Sequence, residues 1–434
     1  MSRLRVRPAA RGLAGSARVP GDKSISHRAV MLGSLAEGVT EVEGFLEGED
    51  TRATARAFEA MGVRVERPAP GRLRIHGRGL RGLEPPEGPL DMGNSGTAMR
   101  LMAGILAAQR FPSLLVGDAS LTQRPMARIT TPLRQMGADI RAREDRFAPL
   151  EIRPVSGLAG RRFQLDVASA QVKSCLLLAG LYAEGVTTVV EPRATRDHSE
   201  RMLAAFGAPP RVEGLAVSVG RCERLAATRV EVPADVSSAA FPLVAALLVP
   251  GSEVVLEAVG MNPRRTGLLD ALALMGADIR RGNPRFLGGE PVADLSVRHA
   301  PLRGIEVPEA LVADMIDEFP ILFVAAALAR GETVVRGAEE LRVKESDRIA
   351  VMAAGLRVLG IEVRETRDGA VIRGGTLRGG TVDSAGDHRC AMSFAVAGLV
   401  ADAPVEVLDC DNVATSFPGF MALMQGLGAD IFAA

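Results

Sequence analysis

Six short stretches decide the reading of this 434-residue chain: AMGVRVE at 60–66, QMGADIR at 135–141, AFGAPPRV at 205–212, LMGADIR at 274–280, VLGIEVR at 358–364 and GLGADIF at 426–432. Each closes a helical pattern with an apolar residue and a glycine, and in most of them Val, Ile or Phe then alternates with polar residues. Glycine just past a helix supplies the left-handed conformation that stops it, and the alternation that follows starts a strand. Gly62, Gly137, Gly207, Gly276, Gly360 and Gly428 recur at intervals of 68 to 84 residues, so the chain reads as six copies of one unit.

A second recurrence lies half a unit earlier, where an apolar helix breaks at a turn and a strand follows: AEGVTEVEG from 36, AEGVTTVVE from 183, VPGSEVVLE from 249, ARGETVVRG from 329 and ADAPVEVLD from 401. Each unit therefore carries two helices, each leading into strand, and six units divide most simply into two α/β lobes of three. The stretch Pro233 to Ser238 lies between the third and fourth units and marks the boundary. Asn262-Pro263 and Thr131-Pro132 read as N-cap followed by proline at the first helical position, and Ser346-Asp347 as a cap followed by an acid. Ile349, Met352, Ala353, Leu356 and Leu359 then form one apolar stripe.

Composition narrows the function. Lys plus Arg equals Asp plus Glu, 52 against 52, so no net field draws the chain to nucleic acid or an anionic membrane. With no Trp and one Tyr, it offers few surfaces for base stacking. The apolar runs Ala239–Val249 and Phe319–Ala329 fall short of the roughly 18 residues that a membrane span needs. The arginine-rich start lacks the apolar core of a secretory signal, and Cys175, Cys222, Cys390 and Cys410 show no metal or disulfide spacing. A cytoplasmic protein that needs no metal and no cofactor is expected.

The informative polar residues stand at helix starts, where unpaired N–H groups and the helix dipole favour anions. GDKSISHR (21–28) offers Lys23, Ser24 and Arg28, and GNSGTAMR (93–100) offers Gly96 and Arg100. SAQVKS (169–174) brings Ser169, Gln171 and Lys173, and RDHSE (196–200) follows in the same unit. IDEFP (316–320), RVKESDR (342–348) and GDHR (386–389) bring Asp317, Lys344, Glu345, Arg348 and Arg389, while Arg124 lies in LTQRPM (121–126). If the repeat turns these helix starts toward a shared cleft, seven cations, Lys23, Arg28, Arg100, Arg124, Lys344, Arg348 and Arg389, create a surplus that bound phosphate or carboxylate must meet. Asp317 and Glu345 are the acidic exceptions, suited to dividing acid and base roles. His27, His198 and His388 are equally readable as structural hydrogen-bonding residues. GRGLRG at 77–82 matches a dinucleotide fingerprint in letters only, because Pro85, Pro86 and Pro89 follow where a helix is required.

Taken together, GDKSISHR, GNSGTAMR, LTQRPM, SAQVKS, IDEFPIL, RVKESDR and DHRCAMSF closely resemble the 5-enolpyruvylshikimate-3-phosphate synthase family, the 3-phosphoshikimate 1-carboxyvinyltransferases, from about residue 12 to the C-terminus. The resemblance implies a two-lobed fold, each lobe three βαβαββ units with helix N-termini toward an interlobe cleft. The first strand would join the C-terminal lobe, giving one lobe of 1–20 with 240–434 and another of 21–239. It implies transfer of the enolpyruvyl group of phosphoenolpyruvate to the 5-hydroxyl of shikimate 3-phosphate, by addition and then elimination of phosphate, in a chain acting as a monomer. By that resemblance Lys23, Ser24, Arg28, Ser169, Ala170, Gln171, Arg196, Asp317 and Lys344 hold shikimate 3-phosphate. Lys23, Gly96, Arg124, Gln171, Arg348 and Arg389 hold phosphoenolpyruvate. Asp317 is expected as base toward the hydroxyl, Glu345 as the acid that protonates the methylene carbon, and Lys23 as an aid to the departing phosphate.

Ala170 in place of a second serine, Thr415 in place of a lysine and Glu340 in place of an asparagine look like the family's divergent second class, although Asn262-Pro263-Arg264-Arg265 lacks the threonine usual there. Gly96 is expected to leave room for glyphosate at the phosphoenolpyruvate site. Two other readings stand beside this one: a UDP-N-acetylglucosamine enolpyruvyl transferase, whose Lys-Asn start differs from Lys23-Ser24, and a non-catalytic anion-binding protein on the same repeat.

Overall fold

The computed structural model describes residues 3–434. All six glycines that set the repeat have positive φ, between 85° and 104°, and each follows a helix and precedes strand or extended chain. The repeat is thus written into the backbone, since an L side chain at these positions would be strained.

Two compact units result. One is the continuous segment Lys23–Val232; the other combines the chain through Asp22 with Pro233–Ala434. Residues 21–22 and 233–239, placed in the other lobe from the sequence, belong to the second unit, and 236–239 open its helix Val236–Leu248, which is buried along its whole length. A helix apolar all round is interior, so the division falls ahead of it, at Val232/Pro233.

Among the described residues each unit contains three small mixed sheets. In the continuous unit, antiparallel strands carry parallel edge strands: Arg162–Gln164 beside Val186–Val190, Leu90–Asp91 beside Ser113–Val116, and Leu225–Ala226 and Arg229–Glu231 beside Ala36–Glu43. The other unit repeats the plan with Ala14–Ala17 beside Glu253–Gly260 and Gly380–Asp383 beside Val405–Leu408. In its third sheet the parallel edge shrinks to single bridges, Arg303 to Arg330 and Glu306 to Val334. The first strand, Arg3–Val6, lies antiparallel between Val405–Leu408 and Ile431–Ala433.

Each unit centres on three largely buried helices: Lys23–Leu35, Gly96–Leu106 and Ala170–Gly180 in one, Val236–Leu248, Phe319–Ala327 and His388–Gly398 in the other. Gly104 lets two of them approach closely, because a Cβ there would lie 2.2 Å from the Cys175 carbonyl oxygen. Amphipathic helices such as Arg348–Val358 pack around these, with Ile349, Met352, Ala353, Leu356 and Leu359 buried as the stripe requires.

Three helix starts differ from the sequence reading. The helix Ala127–Gln135 begins one turn before Thr131-Pro132, leaving Pro132 inside it. Asn262 instead closes a turn by accepting from the Arg264 N–H at 2.9 Å, and the helix Gly267–Leu274 starts after it. Asp347, not Ser346, caps Arg348–Val358 by accepting from the Ala350 N–H at 3.0 Å. The stretch 79–89 after GRGLRG contains no helix. No helix among the described residues is long and apolar enough to cross a membrane.

Candidate active site

In the continuous unit, five helix starts are linked by side chains. Lys23 opens the helix Lys23–Leu35 and pairs with Asp50 in the first turn of Glu49–Glu59. His27, fully buried, joins three elements: Nδ1 lies 2.8 Å from Thr54 Oγ1 and Nε2 lies 3.3 Å from Ser95 Oγ. Ser95 is itself the N-cap of Gly96–Leu106 and accepts from the Ala98 N–H at 3.1 Å. Both ring nitrogens of His27 are thus met by hydroxyls of neighbouring elements. Of the three histidines flagged in the sequence, this one is structural.

Gln171 bridges two helices, donating to Thr97 Oγ1 at 2.9 Å and accepting from Arg100 Nη1 at 2.7 Å. Ser169 caps the helix that Ala170 begins, accepting from the Val172 N–H at 3.4 Å. Arg28 is buried, donating to Ser199 Oγ at 2.7 Å, Ser174 Oγ at 2.8 Å and the Ser24 carbonyl at 2.9 Å. Arg124 donates to Asn94 Oδ1 at 2.5 Å and Ser120 Oγ at 3.1 Å, next to Gly96. A Cβ on Gly96 would meet Arg100 Nη1 at 2.7 Å and Arg124 Nη1 at 3.4 Å, so the bare glycine leaves room for two guanidinium groups. Arg196 lies in the loop ahead of the helix His198–Ala205.

The second unit gathers Asp317, Lys344, Glu345 and Arg348 around one fully buried guanidinium. Arg348 donates through Nε to Asp387 Oδ2 at 2.8 Å, through Nη1 to Asp317 Oδ1 at 3.3 Å and through Nη2 to Glu345 Oε2 at 2.5 Å. Lys344 Nζ stands 3.5 Å from the same Asp317 oxygen. Burial alone would lower the Arg348 guanidinium, but Asp387, Glu345 and Asp317 hold it well above its ordinary value. Burial would likewise raise Asp387, yet Arg348 outweighs it and keeps that carboxyl below the usual range. Asp387 also caps His388–Gly398, accepting from the Arg389 N–H at 2.9 Å, and takes a bond from Ser346 Oγ at 3.2 Å.

Arg389 reaches Glu318 Oε1 at 3.8 Å, and Glu318 accepts from the Ser237 hydroxyl. Arg342 fixes the Lys344–Glu345 segment, donating to Asp347 Oδ2 at 2.6 Å and to the Thr366 and Arg367 carbonyls at 2.6 and 2.8 Å. Thr415 is satisfied locally by the Asn412 carbonyl at 2.7 Å.

Two expectations need correction. The cations do not await ligand charge alone, because Asp50 neutralises Lys23 and Asp387 neutralises Arg348. Lys173, grouped in the sequence with the polar residues of the site, is buried between Glu191 and Glu200. Among the partners, Thr97, Glu318 and Asp387 stand in the quoted stretches GNSGTAMR, IDEFP and GDHR without an assigned part, and Asp50 lies outside them all.

Asp387 and the two other carboxylates on Arg348 differ in access. Asp387 is wholly enclosed, whereas the side chains of Asp317 and Glu345 are 14% and 22% exposed. One acid is thus an anchor, and the other two can exchange their place on the guanidinium with an arriving anion and move protons.

The comparisons with known proteins show the family. The family model for EPSP synthase (3-phosphoshikimate 1-carboxyvinyltransferase) matches residues 8–424. A 3-phosphoshikimate 1-carboxyvinyltransferase of Methylococcus capsulatus is 62% identical over 417 residues, covering 96% of this chain and 95% of its own length. One from Xanthomonas campestris pv. campestris is 62% identical over 421 residues, with the same coverage. Among solved structures, an EPSP synthase from Acinetobacter baumannii superposes with a TM-score of 0.89 at 50% identity, covering 100% of this chain and 99% of that one. With a family model matched over nearly the whole chain, relatives at 62% identity and a solved structure of the same fold, this chain belongs to the EPSP synthase family.

Proposed function

We propose that the protein transfers the enolpyruvyl group of phosphoenolpyruvate to the 5-hydroxyl of shikimate 3-phosphate, releasing phosphate, on the route to chorismate and the aromatic amino acids. The observation that carries this reading is the pair of partly exposed carboxylates, Asp317 and Glu345, held on one buried guanidinium beside Lys344. A protein that merely bound polyanions would gain nothing from two accessible negative charges there.

In this reading the continuous unit supplies Lys23, Ser24, Arg28, Ser169, Ala170, Gln171 and Arg196 to shikimate 3-phosphate, and the other supplies Asp317 and Lys344. Phosphoenolpyruvate takes Lys23, Gly96, Arg124, Gln171, Arg348 and Arg389. Glu345 gives a proton to the methylene carbon, the hydroxyl attacks the cationic centre that results, and Asp317 takes the hydroxyl proton. Glu345, now deprotonated, takes a proton back from the new methyl group as phosphate leaves, assisted by Lys23, and the double bond is restored. Fixed cations balance the negative charge of the two substrates and of the departing phosphate, so the chemistry calls on no metal and no cofactor. We place the enzyme in the cytoplasm as a monomer, which light scattering of the purified chain tests.

The decisive measurement is phosphate release with phosphoenolpyruvate and either shikimate 3-phosphate or UDP-N-acetylglucosamine as acceptor. Release with the first alone supports the proposal; release only with the second would assign the other transferase, and none would leave a binding protein. Glu345→Gln is expected to abolish exchange of solvent hydrogen into the methylene group, and wild-type exchange would move the acid role elsewhere.

A further inference from the structure

Lys173 stands in the first turn of the helix Ala170–Gly180, two residues past Gln171, yet it is 1% exposed. Its ammonium lies 2.8 Å from Glu191 Oε2 and 2.7 Å from Glu200 Oε1, and both acids are buried as well. Ions withdrawn from water on this scale cost several kcal/mol each and do not favour the fold over a well-packed apolar cluster. An ammonium enclosed in this way does not reach a substrate.

What it does reach is the segment that carries Arg196. Glu191 directly follows the strand Val186–Val190, and Glu200 lies in the first turn of His198–Ala205, so the two acids bracket the loop. Inside it, Glu191 also accepts from the Thr195 N–H at 3.4 Å and from the Thr195 hydroxyl. Arg196 is the next residue. The neighbours of the triad point the same way: Ser174 follows Lys173, Ser199 precedes Glu200, and these hydroxyls are bonded to each other at 2.7 Å and to Arg28. Two arginines thus adjoin groups of the triad, Arg196 along the loop and Arg28 through the paired serines.

We infer that Lys173 is a positioning residue for the phosphate of the acceptor: by holding Glu191 and Glu200 it fixes Arg196 and Arg28, and it touches no substrate. Supporting groups of this kind set the orientation of the groups that do the binding. The inference rests on the transferase reading above, and wild-type phosphate release from the two substrates is the control that separates them. A silent wild type fails that reading and says nothing against the triad.

With wild type active, Lys173→Met is expected to raise KM for shikimate 3-phosphate about tenfold or more, the scale of lost supporting contacts, while KM for phosphoenolpyruvate moves less than about twofold. Because that variant strands two buried carboxylates and can fail to fold, Thr195→Val is made alongside it. It removes one hydroxyl from Glu191 while leaving the ammonium and both carboxylates in place, and it should raise KM for shikimate 3-phosphate by about two- to fivefold, with a smaller fall in the unfolding midpoint than Lys173→Met gives. In an Arg196→Ala background Thr195→Val should add nothing, since it acts through that arginine. An unchanged KM for shikimate 3-phosphate in Thr195→Val, equal rises for both substrates, or additivity with Arg196→Ala would overturn the proposal.

Discussion

In the segment Lys23–Val232 several helix starts are joined through uncharged partners, His27 to Thr54 and Ser95, Gln171 to Thr97, and Arg28 to the hydroxyls of Ser174 and Ser199, beside the ion pairs Lys23–Asp50 and Lys173–Glu200. In the other unit the same places in the repeat are joined by ions, with Arg348 on three carboxylates and Arg265 on Asp22, Asp235 and the Ser237 hydroxyl. The difference follows from what each must present. In the proposed reaction, hydroxyls and amides suit a polyol and its phosphate, whereas proton transfer needs carboxylates, and buried carboxylates need a cation fixed beside them.

The comparison breaks most visibly at Arg348. Arg348→Met leaves Asp387 enclosed and unpaired, so it should cost about 3–5 kcal/mol in chemical denaturation and abolish turnover. Adding Asp387→Asn should recover much of that stability while leaving activity lost; no recovery would show that the cost does not come from the stranded acid. The uncharged side should respond far less. Ser95→Ala removes a cap and the hydroxyl that meets His27, for about 1–2 kcal/mol in the same assay. A loss as large as that of Arg348→Met would erase the distinction.

The smallest effect separates the two ionic nodes by pH. Burial first, and then Asp22, push Asp235 up to about 6 against the pull of Arg265 and Arg389. The folded chain therefore binds this proton at higher pH than the unfolded chain, where Asp titrates near about 3.9, so protonation stabilises the fold as pH falls from about 6 toward 4. Asp387 has the opposite sign: its contribution is complete above the ordinary carboxylate value and is lost as pH falls through its lowered one. Asp235→Asn should remove the first contribution, visible as an altered slope of the unfolding midpoint between about pH 4 and 6. An unaltered slope would assign that proton elsewhere.

The repeat was legible because its signal is local: helix, glycine and strand fall within a few residues, and the backbone obeys at all six glycines. Helix starts were less so. Asn262-Pro263 fits a cap and also a tight turn, and only packing chose the turn. Among site residues, sequence placed Asp317, Lys344, Glu345 and Arg348 in one set, and they do share a node. It did not foresee which cations would be neutralised by the protein itself. Lys23 with Asp50, or Lys173 with Glu191, is a pairing across dozens of intervening positions or between elements, and no local pattern encodes it.

The strand Arg3–Val6 closes a sheet whose other members are Val405–Leu408 and Ile431–Ala433. During synthesis the segment that emerges next can complete its own core, while this early ribbon waits for partners made some four hundred residues later. Until those partners are made, its hydrogen-bonding edges have nothing to pair with, and the arginines at positions 3, 5 and 7 guard them with charge.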